Sequence, residues 1–186
     1  MPTLAAAYER ATGVHLVTAF GSSATLAQQL ANGAPQDVFL SADTIHPQQL
    51  IDSGIALGPA PTPYAHGVLV LWTRNDSPLQ PISLNTLKSP RLSRLAIAEN
   101  ITQTAQFAES GNAQAALISL TIASSEHFRA LGTFVRIPTD AYPPIQQSAV
   151  ILKSSHQQQL AHQFLDWLTS PAIQQQLKSF GLDPAK

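Results

Sequence analysis

A cluster of hydroxyl side chains at one turn is the part of the sequence best suited to binding a ligand. Gly21-Ser22-Ser23-Ala24-Thr25 follows an apolar run and precedes a helical pattern that begins at Leu26. The first backbone N–H groups of a helix have no partner inside the helix, and with nearby hydroxyls they bind anions through neutral dipoles. The competing interpretation is that one serine only caps the helix and that Gly21 only makes the turn. The sequence leaves both interpretations open.

A second turn of the same character lies further along the chain. Asn100-Ile101-Thr102-Gln103-Thr104 follows the apolar run Leu95–Ala98 and precedes another helical pattern. Two such turns in matching positions favour a ligand held between them. Neither turn contains Lys or Arg, so an anion there would be held by hydrogen-bond dipoles without a cationic side chain.

The residues that enzymes and metal sites need are absent or wrongly spaced. Ser22 and Ser23 do not lie in a Gly-x-Ser-x-Gly elbow, and the six histidines never fall four residues apart. The chain has no cysteine and no Gly-x-Gly-x-x-Gly loop. Asp37 and Asp43 bracket a strand pattern, where acidic side chains usually cap or hydrogen-bond the adjacent loops. We therefore expect no enzyme activity, no resident metal and no cofactor.

Composition excludes two further classes of protein. The 186 residues are 44% hydrophobic and only 11% charged, with a net charge of -1 and cations scattered singly along the chain. A nucleic-acid-binding protein would show a basic stripe. No apolar stretch approaches the ~20 residues that span a bilayer, so membrane insertion is not expected either. The amino terminus lacks a basic segment followed by an apolar run, so we expect no secretion signal in this chain.

Strand and helix patterns alternate with short connections, which predicts an α/β fold with mostly parallel sheets. The β-branched and apolar run Val14–Phe20 is expected to form a strand, and so is Asp37–Ala42. Helical patterns follow each of these two runs.

Two proline-rich connectors, near residues 58–66 and 141–148, interrupt this alternation. They predict two lobes joined by a hinge. The first lobe would comprise residues 1–61 and 149–186, and the second would comprise residues 63–147.

The longest polar and apolar patterns resemble those of a known family. The turn at Ala19–Thr25 and the segment Asn32-Gly33-Ala34-Pro35-Gln36-Asp37-Val38-Phe39-Leu40-Ser41-Ala42-Asp43 are similar to the periplasmic molybdate-binding proteins of ABC importers. Further matches follow in the family's order, at Glu99–Thr104, Gly111–Ala113, Tyr142–Ile145 and Ala149–Val150. The resemblance implies a two-lobed, type II periplasmic-binding-protein-like fold. It also implies a periplasmic protein that binds molybdate or tungstate between its lobes and delivers it to an ABC permease.

The resemblance also implies which residues hold the oxyanion. Ser23 matches a family serine that contacts the ligand, with Ser22 beside it, and Ile101 matches a backbone donor. Asn100 adjoins that donor, and Ser119 stands where some members have a tyrosine, so both are less certain candidates.

The chain departs from the family in two places. It begins inside the helix that follows the family's first strand, and roughly 30 residues, about one strand-helix-strand step, are missing after Ala98. The alternative hypothesis is therefore a truncated, non-binding relative that oligomerises through open sheet edges. The sequence does not choose among molybdate, tungstate and sulfate, and it does not give the oligomeric state.

Overall fold

The structure is a computed structural model that describes residues 2–97, 104, 106, 107 and 109–185. The chain divides into two compact units: unit 1 comprises Met1–His66 and Ile145–Lys186, and unit 2 comprises Gly67–Pro144. Among the described residues, no helix is both long enough and apolar enough to cross a membrane. The hinge connectors and the lobe boundaries expected from the sequence stay predictions.

Short helices and strands follow one another in both units. In chain order they are α1 (Pro2–Thr12), α2 (Ser23–Ala31), β1 (Val38–Ser41), α3 (Ile45–Asp52), β2 (Thr62–Gly67), β3 (Leu69–Arg74), a 3₁₀ helix (Leu84–Lys88), β4 (Leu95–Ala96), β5 (Ala115–Ser119), α4 (Leu120–Ala123), α5 (Glu126–Leu131), β6 (Gly132–Arg136), a 3₁₀ turn (Thr139–Ala141), β7 (Ile145–Ile151), α6 (Gln158–Thr169), α7 (Pro171–Gln176), a 3₁₀ helix (Leu177–Phe180) and β8 (Leu182–Pro184).

Unit 1 is a four-stranded sheet in the order β1-β7-β2-β8, with helices on both faces. Alternate residues of β1 enter two cores, because successive strand side chains point to opposite faces. Phe39 packs in one core with residues of α2 and α3. Val38 and Leu40 pack against the other core, where Tyr8 of α1 makes edge-on ring contacts with Phe164 and Trp167 of α6.

Unit 2 is a second four-stranded sheet, in the order β4-β5-β3-β6. Its central strand β3 is apolar on both faces, and Val70, Leu71 and Trp72 are fully buried. The Trp72 indole N–H donates to the Phe128 carbonyl over 3.3 Å. Opposite Trp72 and Thr73, the backbone of Gly132 approaches so closely that a Cβ there would lie 2.3 Å from both of them.

The expected α/β composition is confirmed, but the sheets are mixed and not mostly parallel. The pairs β1–β7, β3–β5 and β3–β6 run antiparallel, and β4–β5 runs parallel. Parallel neighbours need a crossover connection, usually a helix packed on the same sheet. Strands β3 and β7 instead enter their sheets at the boundary between the units, so that constraint does not apply to them.

The expected strand at Val14–Phe20 is wrong. This segment, named here the unpaired run, forms neither helix nor strand. Val14 and Leu16 pack against the core of unit 1, whereas Val17 is 86% exposed and Phe20 is 64% exposed. A β-branched sequence forms a strand only beside another strand, and the described sheet of unit 1 ends at β1.

The close approach at Gly132 gives a stability prediction. Gly132→Ala should lower the free energy of unfolding by about 1–3 kcal/mol, because the new methyl group must displace the Thr73 carbonyl and the Trp72 ring. Urea denaturation followed by tryptophan fluorescence measures this change. Gly21→Ala is the matched control, since its Cβ would meet only the flexible Leu26 side chain at 3.2 Å. Equal stability of the two variants would contradict the packing described here.

Candidate functional site

Ser22 is the N-cap of α2. Its Oγ accepts a hydrogen bond from the Thr25 N–H at 3.1 Å and lies 2.7 Å from the Thr25 hydroxyl. Its carbonyl accepts the first bond of the helix, from the Leu26 N–H at 2.9 Å. The capping interpretation therefore holds for Ser22, and a direct contact of this residue with a ligand stays a prediction.

Ser23, the first residue of α2, is placed differently. Its Oγ accepts a hydrogen bond from the Ala42 N–H at 3.1 Å. Because that bond uses an acceptor site of the oxygen, the Ser23 hydroxyl hydrogen is left to donate to a ligand. Within the described part of the chain, the backbone N–H groups of Ser23 and Ala24 have no hydrogen-bond partner. Hydrogen-bond donors from two separate segments thus meet at the start of this helix.

Ala42 is the contributor that the sequence analysis missed. It follows the last residue of β1 directly, so the strand delivers its N–H to the start of α2. A backbone donor leaves no trace in residue type, and alanine has no polar side-chain atom. The available signal was its position, one residue beyond a buried strand and inside the Ser-Ala-Asp segment that the family resemblance had already singled out.

Buried polar side chains fix the turn that carries Ala42. Ser41 and Ser148 are fully buried and Tyr64 is nearly so. The Tyr64 hydroxyl lies 2.8 Å from the Gln147 side-chain oxygen and 3.3 Å from the Ser41 carbonyl. The Ser148 hydroxyl donates to the Asp43 carbonyl at 2.8 Å. The residues on either side of Ala42 are therefore both held from below.

The carboxylate of Asp43 is occupied by His46. One carboxylate oxygen accepts the His46 backbone N–H at 2.9 Å, and the other lies 2.8 Å from the imidazole Nδ1. Partial burial acts to raise the pKa of Asp43, but these hydrogen bonds outweigh it and hold the pKa below its usual value. Burial, helped by the Asp43 charge, raises the pKa of Tyr64. Asp43 is thus ionised and Tyr64 is a neutral donor at neutral pH.

The other residues expected at the site are elsewhere or outside the described residues. Asn100 and Ile101 lie outside the described residues. Ser119 ends β5 in unit 2, where its Oγ accepts the Ile122 N–H at 3.4 Å as the N-cap of α4. The part of all three in binding stays a prediction. In the portion of the chain that is described, no group of three or more His, Asp or Glu residues could hold a metal ion.

Comparison with known proteins assigns the family. Residues 1–99 and 93–183 match the family described as bacterial extracellular solute-binding protein. The chain belongs to this family. The molybdate-binding protein of Azotobacter vinelandii is 28% identical over 211 residues, which cover 97% of this chain and 84% of that protein. The molybdate-binding protein of Rhodobacter capsulatus is 27% identical over 207 residues, covering 96% and 81%.

Solved structures agree with this assignment. The A. vinelandii periplasmic molybdate-binding protein superposes with a TM-score of 0.82 at 27% identity, covering 97% of this chain and 92% of that one. Iron-bound HitA from Pseudomonas aeruginosa, at 18% identity and a TM-score of 0.67, shares the fold and covers 100% of this chain and 82% of its own. The resemblance and the periplasmic-binding-protein-like fold are thereby confirmed. The matched proteins are named as binding proteins, consistent with a chain that is not an enzyme.

The relatives are longer than this solute-binding chain. The alignment with the A. vinelandii protein runs over 211 positions, more than the 186 residues present here, so that protein contains residues with no counterpart. The expected truncation relative to the family is therefore confirmed. Which elements are missing stays a prediction.

The cap of α2 gives a second stability prediction. Ser22→Ala should lower the free energy of unfolding by about 0.5–2 kcal/mol, because the Thr25 N–H loses its acceptor. Chemical denaturation measures the loss. Ser22→Asn is the control, since asparagine caps helices as well as serine does and should retain most of the stability. If both variants lost the same amount, the hydroxyl would have a role other than capping.

The contact between Asp43 and His46 predicts a pH dependence of stability. Because the pKa of Asp43 is lower in the folded than in the unfolded chain, its ionised form stabilises the fold above the unfolded value of 3.8. That contribution is lost as the pH falls through the folded value. Asp43→Asn should therefore flatten the dependence of unfolding free energy on pH below pH 3.8, as measured by denaturation at a series of pH values.

Asp166→Asn is the matched control for this experiment. It removes a carboxylate from an exposed position of α6 and leaves the contact with His46 intact. An acid limb that is equally flat in both variants would show that the Asp43 contact is not responsible.

Proposed function

We propose that the chain binds a tetrahedral oxyanion, molybdate or tungstate, and delivers it to the permease of an ABC importer. One observation carries the proposal: the Ser23 hydroxyl and the Ala42 N–H meet 3.1 Å apart at the start of α2. The relatives supply the ligand, because the A. vinelandii and R. capsulatus proteins are named as molybdate-binding.

The physical basis of binding is a set of neutral dipoles. A dianion at this turn would accept hydrogen bonds from the Ser23 hydroxyl, from the Ala42 N–H and from the first N–H groups of α2, where the helix dipole favours negative charge. No Lys or Arg lies between Gly21 and Thr25 or between Ser41 and His46. Hydrogen bonds to a charged acceptor contribute roughly 1.5–3 kcal/mol each, so a few such donors are enough for specific binding.

An acidic residue beside an anion site needs an explanation. Asp43 directly follows Ala42, and an unpaired carboxylate there would repel a dianion. Both Asp43 oxygens instead face His46, one on the backbone N–H and one on the ring. The hydrogen bonds from His46 offset the carboxylate charge and keep it turned toward α3.

The remaining assignments rest on the family resemblance. We include the backbone N–H of Ile101 as a donor, and Asn100 and Ser119 as secondary candidates, with Ser22 serving as the cap. The matched A. vinelandii protein is named as periplasmic, and we propose the same location and an ABC permease partner for this chain. No cofactor enters the proposal.

The decisive variant is Ser23→Ala. Losing one charge-assisted hydrogen bond of roughly 1.5–3 kcal/mol should weaken oxyanion binding about ten- to a hundredfold. Isothermal titration with molybdate, tungstate and sulfate measures the affinities. Ser22→Asn, which retains the cap, is the control and should bind within a few-fold of the unaltered chain. Since no cationic side chain holds the ligand, added salt should weaken binding only mildly.

Two outcomes would contradict the proposal. If the unaltered chain is folded by circular dichroism and binds none of the three anions, the transport function is wrong. If Ser23→Ala binds as well as the unaltered chain, the site lies elsewhere in the chain.

A further inference from the structure

The unpaired run, Val14–Phe20, has strand-forming side chains and a free backbone. Val14 and Leu16 are half-buried, while His15 and Val17 are exposed, which is the two-residue period of a strand. Within the described part of the chain, the backbone N–H groups of residues 15–20 donate no hydrogen bond to protein, and that of Val14 donates only to the Thr12 hydroxyl. This backbone is therefore available to pair with another strand.

One side of the unpaired run presents apolar surface to solvent. Val17 is 86% exposed and Phe20 is 64% exposed, although valine and phenylalanine are among the residues most often buried. Val14 and Leu16 anchor the run on the core of unit 1. At one end, the space around Gly13 is open, with no atom within 4 Å of an added Cβ. An incoming strand therefore meets no obstruction at that end.

The unpaired run carries none of the devices that normally protect an exposed edge. Proteins discourage edge-to-edge pairing with lysine, proline or charged side chains. The seven residues contain no Lys, Arg, Asp, Glu or Pro. The one titratable side chain, His15, is turned toward Glu9 of α1, with 3.0 Å between its Nδ1 and the carboxylate. Nothing in the run opposes association.

We infer that two copies of this chain form a dimer in which each unpaired run pairs antiparallel with the other. An antiparallel pair of identical segments is related by a twofold axis, so it closes at two copies. Val17 is the central residue of the run. With the axis at Val17, it lies opposite its own counterpart, Val14 lies opposite Phe20, and Leu16 lies opposite Thr18.

A second copy fits the run better than it fits the open edge of β1. In this register, the two most exposed apolar side chains, Val17 and Phe20, both acquire apolar cross-strand neighbours, which stabilise antiparallel pairs. Strand β1 has only four residues, and the N–H that follows it is already bonded to Ser23. The inference does not rest on the proposed oxyanion function.

The first test measures the mass of the full chain in solution. Light scattering after size exclusion, over a range of concentrations, should give twice the chain mass of 19.9 kDa. Val17→Lys should weaken the dimer at least tenfold, because it puts like charges opposite each other at the twofold axis. Ile45→Lys is the matched control, since Ile45 is a 63% exposed apolar residue elsewhere in unit 1, and it should leave the dimer intact.

The second test fixes the register. The chain has no cysteine, so a Val17→Cys variant contains one thiol. Directly opposed residues of antiparallel strands have Cα atoms about 4.5–5.5 Å apart, within the range that a disulfide bridges. Mild oxidation should therefore convert Val17→Cys to a covalent dimer much faster than Ile45→Cys.

The inference is wrong under any of three results. These are a monomer at every concentration, a dimer that Val17→Lys leaves unchanged, or equal rates of crosslinking for the two cysteine variants. An assembly larger than a dimer, or capture of a different protein chain by the run, would also overturn it. Circular dichroism of each variant confirms that it is folded before the masses are compared.

Discussion

The antiparallel register between β1 and β7 determines where the candidate site lies. It pairs Val38 with Ile151 and Ser41 with Ser148, so a strand from early in the chain is held by one from near its end. The same register places the Ser148 hydroxyl on the Asp43 carbonyl and directs Ala42 toward Ser23. A slip of one residue would turn Ser148 to the opposite face and bring an apolar neighbour in its place. The donors of the proposed anion site therefore depend on a pairing that lies beneath them.

The polar groups around that pairing are compatible with burial because each has a partner. Among the described residues, no buried side-chain nitrogen or oxygen lacks a hydrogen bond. Tyr64 stays neutral since burial raises its pKa, whereas Asp43 stays ionised since His46 donates to it. Unit 1 thus keeps a single charge near the turn, and that charge is engaged away from Ser23. A site of this kind selects an anion by the geometry of neutral donors and not by net charge.

Sequence reasoning succeeded where side chains carry the information and failed where the backbone or a missing neighbour does. The turn at Ser22 and Ser23 was found because hydroxyls mark it, although only the structure separates the cap from the free donor. Ala42 was missed because its contribution is an N–H. The strand expected at Val14–Phe20 failed because propensity acts only beside a partner strand. The parallel sheets failed because β3 and β7 enter their sheets at the boundary between the units.

The unpaired run and the anion turn are consecutive segments, yet they make separate demands on the chain. Six residues separate Val17 from Ser23, so even a fully extended backbone places them no more than about 20 Å apart. Val17 is almost fully exposed, whereas Ser23 is half-buried against the residue that follows β1. Pairing uses the backbone between Gly13 and Gly21, and the anion uses donors that begin after the cap at Ser22. Because no donor is shared, association of two copies leaves the oxyanion donors of each copy in place.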